Sequence, residues 1–217
     1  FLGPLNQGHR SGRGQYTDMA LPDVQVAALA NQATYYLIGG EPPVRMGNGH
    51  AAIVPYQSFP TADGYVIIAV GNDGQFAKLA DELGHPEWKT DPRFATNIER
   101  LHNRALVVGA IEAETRKRSM DDLIAALEKR HVPCGPINTI DRVFADPHVQ
   151  ARGLQKTVPH RGQGSLPSVA SPLRLSDSPV VYDRGPPLLG EHTDALLRER
   201  LGLDDAALAA LRDKGVI

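Results

Sequence analysis

The chain has 217 residues, of which 41% are hydrophobic and 22% charged, with a formal charge of -2. That is the profile of a globular protein large enough to hide roughly 70% of its unfolded surface, and no Lys/Arg block offers the stripe that a nucleic-acid backbone requires. Apolar stretches such as residues 66–70 fall far short of the roughly 20 residues that a membrane helix needs, so neither nucleic acid nor membrane is an expected partner and a cytoplasmic location is expected. Cys134 is the only cysteine, which excludes an internal disulfide framework; it sits between Pro133 and Pro136 beside Val132 and Ile137 and reads as a small buried residue.

Residues 1–9, FLGPLNQGH, show no periodicity and read as a fragment scar or a mobile end. From Met19 to Ile38 the positions Leu21, Val24, Ala27, Ala28, Asn31, Tyr35 and Ile38 recur at helical spacing and predict one helix with a broad buried face, Pro22 in its first turn and Gly39-Gly40 at its end. Residues 42–59, PPVRMGNGHAAIVPYQSF, then break all periodicity. Pro42 and Pro43 stop the helix, Gly47 and Gly49 permit unusual backbone angles, and Arg45, Asn48, His50 and Tyr56 bring polar groups to a loop of the kind that lines sites.

Beyond the loop, the turn Asp63-Gly64 leads into a β-branched run, residues 65–70, that predicts a strand buried on both faces. Asn72 and Asp73 supply cap chemistry for a helix carrying Phe76, Leu79, Ala80 and Leu83 and closed by Gly84. Asp91-Pro92 opens a helical region, and residues 98–117 predict one long helix with Leu101, Ala105, Val108 and Ile111 inward. Ser119, three residues before Asp122, starts a helix with Leu123, Ile124 and Leu127 inward. A short helix over 139–145, a helical turn over 148–151, and strands near 154–158 and 169–173 around a Gly-rich turn follow. Residues 176–187 read as a connector. Two short helices end the chain: one runs from about Glu191 to Leu201 and stops at Gly202, the other is capped by Asp204 and stopped by Gly215.

The fold class is α+β: a small helix and antiparallel-sheet domain over residues 48–175, flanked by an N-terminal tail and helix over 1–47 and by a linker and helices over 176–217. Neither flank has an evident partner for its apolar stripe within the chain.

The loop at 42–59 and DGYVIIAVGNDGQF at 63–76 together resemble the C-terminal half of family III CoA-transferases, the CaiB/BaiF group that includes α-methylacyl-CoA racemases. RSGRGQYTDMAL at 10–21, DPRFATNIERLHNR at 91–104, VPCGPINT at 132–139, VFADPHVQARG at 143–153 and PLLGEHTDALL at 187–197 agree in order and approximate spacing. GNGHAAIVPYQSF looks most like the succinyl-CoA-dependent dicarboxylate transferases, whereas formyl-CoA transferases carry a more glycine-rich, lid-like loop there. The resemblance implies a Rossmann-like large domain against which both flanks pack, two chains interlocked as a homodimer, and transfer through a mixed anhydride on an aspartate. That aspartate falls in the half not matched here, so no catalytic residue is expected in this chain, and the isolated chain is expected to be inactive. CoA thioester and a small carboxylate enter as substrates, with no tightly held cofactor.

The candidate substrate-binding residues are Arg45, Asn48, Gly49, His50 and Tyr56. Arg45 suits a bidentate grip on a carboxylate, and His50 and Tyr56 suit donation to a carboxylate or thioester oxygen. Each also has a plain structural reading: Arg45 tying the loop to helix carbonyls, His50 a satisfied imidazole, Tyr56 a core residue. Asp18, Asp23, Asp63, Asp73 and Asp146 read as helix-start, turn or cap residues, and the eight histidines show no metal-ligand spacing. Two rival readings stand beside the transferase: a racemase half, and a non-catalytic assembly module.

Overall fold

The computed structural model describes residues 2–217. The chain forms two compact units, residues 1–136 and 137–217. Both combine helices with a small antiparallel sheet, the α+β class read from the sequence.

The first unit opens with three helices: α1 (Leu2–Ser11), α2 (Leu21–Ala28) and α3 (Ala30–Gly39). The helical α1 replaces the aperiodic end expected from the sequence. The expected single helix over 19–38 is two, because Ala30 takes a positive φ of 47°, an angle that neither Gly nor Pro announces here. No residue of α1, α2 or α3 is buried. Leu21, Val24, Tyr35 and Ile38, the expected inner face, are all exposed.

Strands β1 (Tyr56–Pro60), β2 (Tyr65–Ala69) and β3 (Cys134–Pro136) form an antiparallel sheet with β2 central, Ser58 opposite Ile67 and Ile67 opposite Gly135. Phe59, Val66 and Ile68 point into the core, where they join Phe76 and Leu79 of α4 (Asp73–Glu82), Val107 and Ile111 of α6 (Arg104–Thr115), and Leu123 and Leu127 of α7 (Met120–Lys129). Each such side chain adds about 1.5–3 kcal/mol by leaving water. Tyr65 and Ile67 remain 55% and 41% exposed, so β2 is buried on one face and not on both. The sequence shows only that both faces are apolar; which one the helices cover is decided by tertiary packing.

Caps fall where the sequence places them. The Asn72 side chain accepts from the Gln75 amide, and Ser119 accepts from the Asp122 amide while its hydroxyl donates to the Asp122 carboxylate. The expected long helix over 98–117 is broken into α5 (Asn97–His102) and α6 at Asn103, whose amide side chain turns back to donate to the Glu99 carbonyl. Of the expected inner face Ile111 is buried and Leu101 and Val108 pack against the core, but Ala105 is exposed and the stripe is completed by buried Arg100, Val107 and Thr115.

Arg100 is fully buried and uses its guanidinium three ways. Nε donates to Val54 O at 2.7 Å, Nη1 to Phe94 O at 2.7 Å and Nη2 to Asp73 Oδ1 at 2.8 Å, with the group lying 4.3 Å over the Phe76 ring. Burial lowers its pKa and Asp73 opposes the shift, but a guanidinium stays charged through the physiological range.

The second unit holds α8 (Ile140–Ala145), α9 (Pro147–Ala151), the hairpin β4 (Gln155–His160) and β5 (Gly164–Val169), then α10 (Thr193–Leu201) and α11 (Asp205–Asp213). β5 begins at Gly164 and not near 169, because Gly164 adopts φ 75° and closes the turn directly after β4. The segment 176–187 carries no regular structure, yet it is pinned to the hairpin. The Tyr182 hydroxyl accepts from Ser171 N at 2.7 Å, and Gly185 runs so close to β4 that a Cβ there would lie 2.4 Å from Pro159 O.

Two stability outcomes follow from this packing. Arg100→Met leaves the Val54 and Phe94 carbonyls without a donor and is expected to lower unfolding free energy by about 3 kcal/mol in urea titration. His85 Nδ1 lies 2.8 Å from Glu87 and Nε2 3.2 Å from Glu114, and its ring stacks on Trp88 at 4.3 Å. Glu87 raises the His85 pKa, burial opposes, and Glu114 adds to the rise. The contribution is therefore full below the unfolded value near 6.5 and is lost as pH climbs through the higher folded value. Thermal melts at about pH 6 and about pH 8 should show wild type losing more than His85→Gln over that interval.

Candidate functional site

The loop between α3 and β1 is built as a tight turn. The chain leaves α3 through Gly40 at φ 77°, passes the two prolines without regular structure, and reverses at Gly47, φ 60°, where Gly49 N donates to Met46 O at 3.0 Å. The space beside Gly49 is closed: a Cβ there would meet Met46 O at 3.2 Å and Gln57 Oε1 at 3.4 Å. A larger residue would have to push the turn open.

Asn48 is an anchor, with both ends of its carboxamide in use. Nδ2 donates to Ser58 Oγ at 2.5 Å and Oδ1 accepts from Ser58 N at 3.1 Å, fastening the turn to β1. His50 N donates to Tyr56 O at 2.9 Å, and His50 Nδ1 accepts from Ala52 N at 3.0 Å. With Nδ1 as acceptor, the proton of the neutral ring sits on Nε2, which has no partner among the described residues. The Tyr56 ring lies 5.3 Å from the imidazole at 49°. Asn48, Gly49, His50 and Tyr56 are thus gathered on one turn. Arg45 lies exposed on the same loop, without a hydrogen bond or ion pair among the described residues.

The residues that hold this turn come from α5 and α6. Asn97 Oδ1 accepts from Val54 N at 3.1 Å and Nδ2 donates to Ala52 O at 2.9 Å. Arg104 Nη2 donates to His50 O at 2.9 Å and Ala51 O at 3.0 Å, and burial lowers the Arg104 pKa. Together with Arg100 on Val54 O, three side chains grip four of the five residues 50–54, namely His50, Ala51, Ala52 and Val54. None of the three is among the candidate residues that the sequence offers. A usable signal was present: Asn97, Arg100 and Arg104 stand at i, i+3 and i+7, in phase with buried Val107 and Ile111, so polar residues occupy an inward stripe.

The arrangement can bind but shows no acid–base pair. The His50 Nε2–H and Tyr56 hydroxyl can donate to an oxygen, with the Arg45 guanidinium on the same loop. No carboxylate among the described residues is paired with His50, and no cluster of three or more His, Cys, Asp or Glu among them is placed to hold a metal ion. Cys134 lies in β3, partly buried, its Sγ 3.9 Å from Ile124 O, and burial followed by Glu128 raises its pKa, so it is held as a thiol.

The CoA-transferase family III profile matches residues 2–193. The chain is 49% identical over 190 residues to a succinate–glutarate CoA-transferase of Agrobacterium fabrum, which covers 88% of this chain and 48% of that protein. It is 36% identical over its whole length to 50% of the human succinyl-CoA:glutarate CoA-transferase. A crystal structure of a CaiB/BaiF family protein from Brucella suis superimposes with a TM-score of 0.76 at 47% identity, covering 90% of this chain and 50% of that one. The chain therefore spans about half the length of the relatives it matches. A profile match across most of the sequence, joined by this structural likeness, makes the chain a member of CoA-transferase family III.

Proposed function

We propose that the protein containing this chain moves CoA between succinyl-CoA and a small dicarboxylate such as glutarate. The observation that carries the reading is the match of the entire chain, the 42–59 loop included, to a human protein named for that exchange. The loop adds chemical support. Arg45, His50 and Tyr56 offer an exposed cation and uncommitted donors, the groups that a second carboxylate requires. The grip of Asn97, Arg100 and Arg104 favours a fixed wall over a moving lid.

In this reading the acyl group passes through a mixed anhydride on an aspartate, and that aspartate lies outside the chain. Three of the aspartates here are engaged otherwise, and two lie on exposed segments at or before the start of α2. Asp73 receives Arg100, Asp63 accepts from Thr61 and from Met120 N, and Asp146 caps α9 through His148 N and Val149 N. Asp23 lies in the first turn of α2, and Asp18 on the exposed segment before it. Residues 1–47 form the edge of a Rossmann-like large domain, 48–175 the small domain, and 176–217 the return to the large one. Two such chains interlock as a cytoplasmic homodimer, and the CoA thioester enters as substrate with no resident cofactor.

The full-length protein is expected to form glutaryl-CoA from succinyl-CoA and glutarate, while the purified 217-residue chain gives none; transfer by the isolated chain would place the nucleophile within it. His50→Ala in the full-length protein should lower kcat/KM for glutarate about tenfold, the worth of one lost hydrogen bond to a charged group. If the parent exchanges an α-proton into deuterated solvent without net transfer, the racemase reading replaces this one.

A further inference from the structure

Arg104 differs from Arg100 in one respect. Arg100 is balanced by Asp73 at 2.8 Å, whereas the partly buried Arg104 donates only to two neutral carbonyls, and no carboxylate is paired with it among the described residues. A cation withdrawn from water without a counter-ion leaves its field uncancelled nearby. The nearest backbone is that of the turn: a Cβ built on Gly49 would lie 3.6 Å from Arg104 Nη1. The His50 and Ala51 carbonyls hold the guanidinium against the main chain of the loop that carries His50.

We propose that Arg104 is a positioning and specificity-determining residue of the Gly49–His50 turn. It fixes the backbone that orients the imidazole, and its uncompensated charge makes the turn prefer an acyl group ending in a free carboxylate over one ending in methyl. The inference rests on the reading that this turn faces the acyl group of the substrate, and it adds the source of the selectivity. The placement supports a long-range electrostatic role: Nη2 is occupied by the His50 and Ala51 carbonyls, so the charge acts through the turn while His50 Nε2–H and Arg45 remain free to touch the ligand.

The test uses the full-length protein with succinyl-CoA as donor and two acceptors of equal chain length, glutarate and valerate, comparing their kcat/KM values. Arg104→Gln keeps a donor for the carbonyls and removes the charge; Arg104→Lys keeps the charge on a different donor geometry. The Gln variant is expected to lose about tenfold of the glutarate-over-valerate preference, and the Lys variant to retain it within about threefold. Melting midpoints of both variants report the structural cost, which lowers both acceptors alike and leaves the ratio unmoved. Equal ratios in wild type, Gln and Lys, or equal losses in Gln and Lys, overturn the proposal. A wild-type protein that transfers nothing to glutarate instead overturns the dicarboxylate reading and this inference with it.

Discussion

A guanidinium with no water around it governs the first unit. Arg100 is placed where an apolar side chain would be expected, in register with Val107 and Ile111, and its N–H groups must therefore find acceptors inside. It finds them on three separate pieces of chain: Val54 at the end of the loop, Phe94 before α5, and Asp73 at the start of α4. Two of these are carbonyls of irregular backbone that no strand or helix would satisfy. An apolar residue of the same size would pack against Phe76 equally well and leave both carbonyls dry. The buried guanidinium organises three pieces of chain, and its one charged acceptor, the Asp73 carboxylate, stays half exposed to water.

From that tie the loop is secured in steps outward. Arg100 takes Val54, Asn97 takes Val54 and Ala52, Arg104 takes Ala51 and His50, and Asn48 fastens the far side of the turn to Ser58. The Arg100, Asn97 and Arg104 steps on the loop fix backbone groups, so the order accumulates at His50, whose Nδ1 is then held by Ala52 N. A ring held in this way has a defined tautomer before any ligand arrives, which removes part of the ordering cost of binding.

What the sequence reveals and what it conceals divide along the range of the interaction. The caps at Asn72, Ser119 and Asp204, and the inward Leu123 and Leu127, depend on neighbours three or four residues away and are legible from spacing. Over residues 98–117 apolar spacing finds Ile111 and the core-packed Leu101 and Val108, but it passes over Arg100 and Arg104, because arginine is not counted in an apolar stripe. Its acceptor Val54 lies 46 residues distant, and Arg104 reaches 54 residues back to His50. The loop itself was recognised as a candidate site from its glycines, prolines and polar residues. Its members nevertheless play unlike parts: the Asn48 carboxamide is tied at both ends to Ser58, while the His50 Nε2–H is uncommitted. That distinction depends on where Ser58 and Ala52 fall in three dimensions. The break at Ala30 has no local signature at all, since its side chain ordinarily favours helix.

The turn also bears on how selection and chemistry are divided. Breaking a thioester needs a free nucleophile, and the Asp73 and Asp146 carboxylates are each already committed, one to Arg100 and the other to the first amides of α9. A turn of donors backed by an unpaired cation suits the opposite task, since it holds an oxygen anion without reacting with it. In the proposed transferase the acyl group would then be recognised by a rigid wall contributed by this half, while its bond to sulfur is exchanged elsewhere. Changes at Arg45, His50 or Arg104 would alter which acid is accepted without rebuilding the reacting groups. The exposed apolar faces of α2 and β2 fit the same division, because a wall that serves another domain's chemistry must be docked on that domain with little freedom to shift.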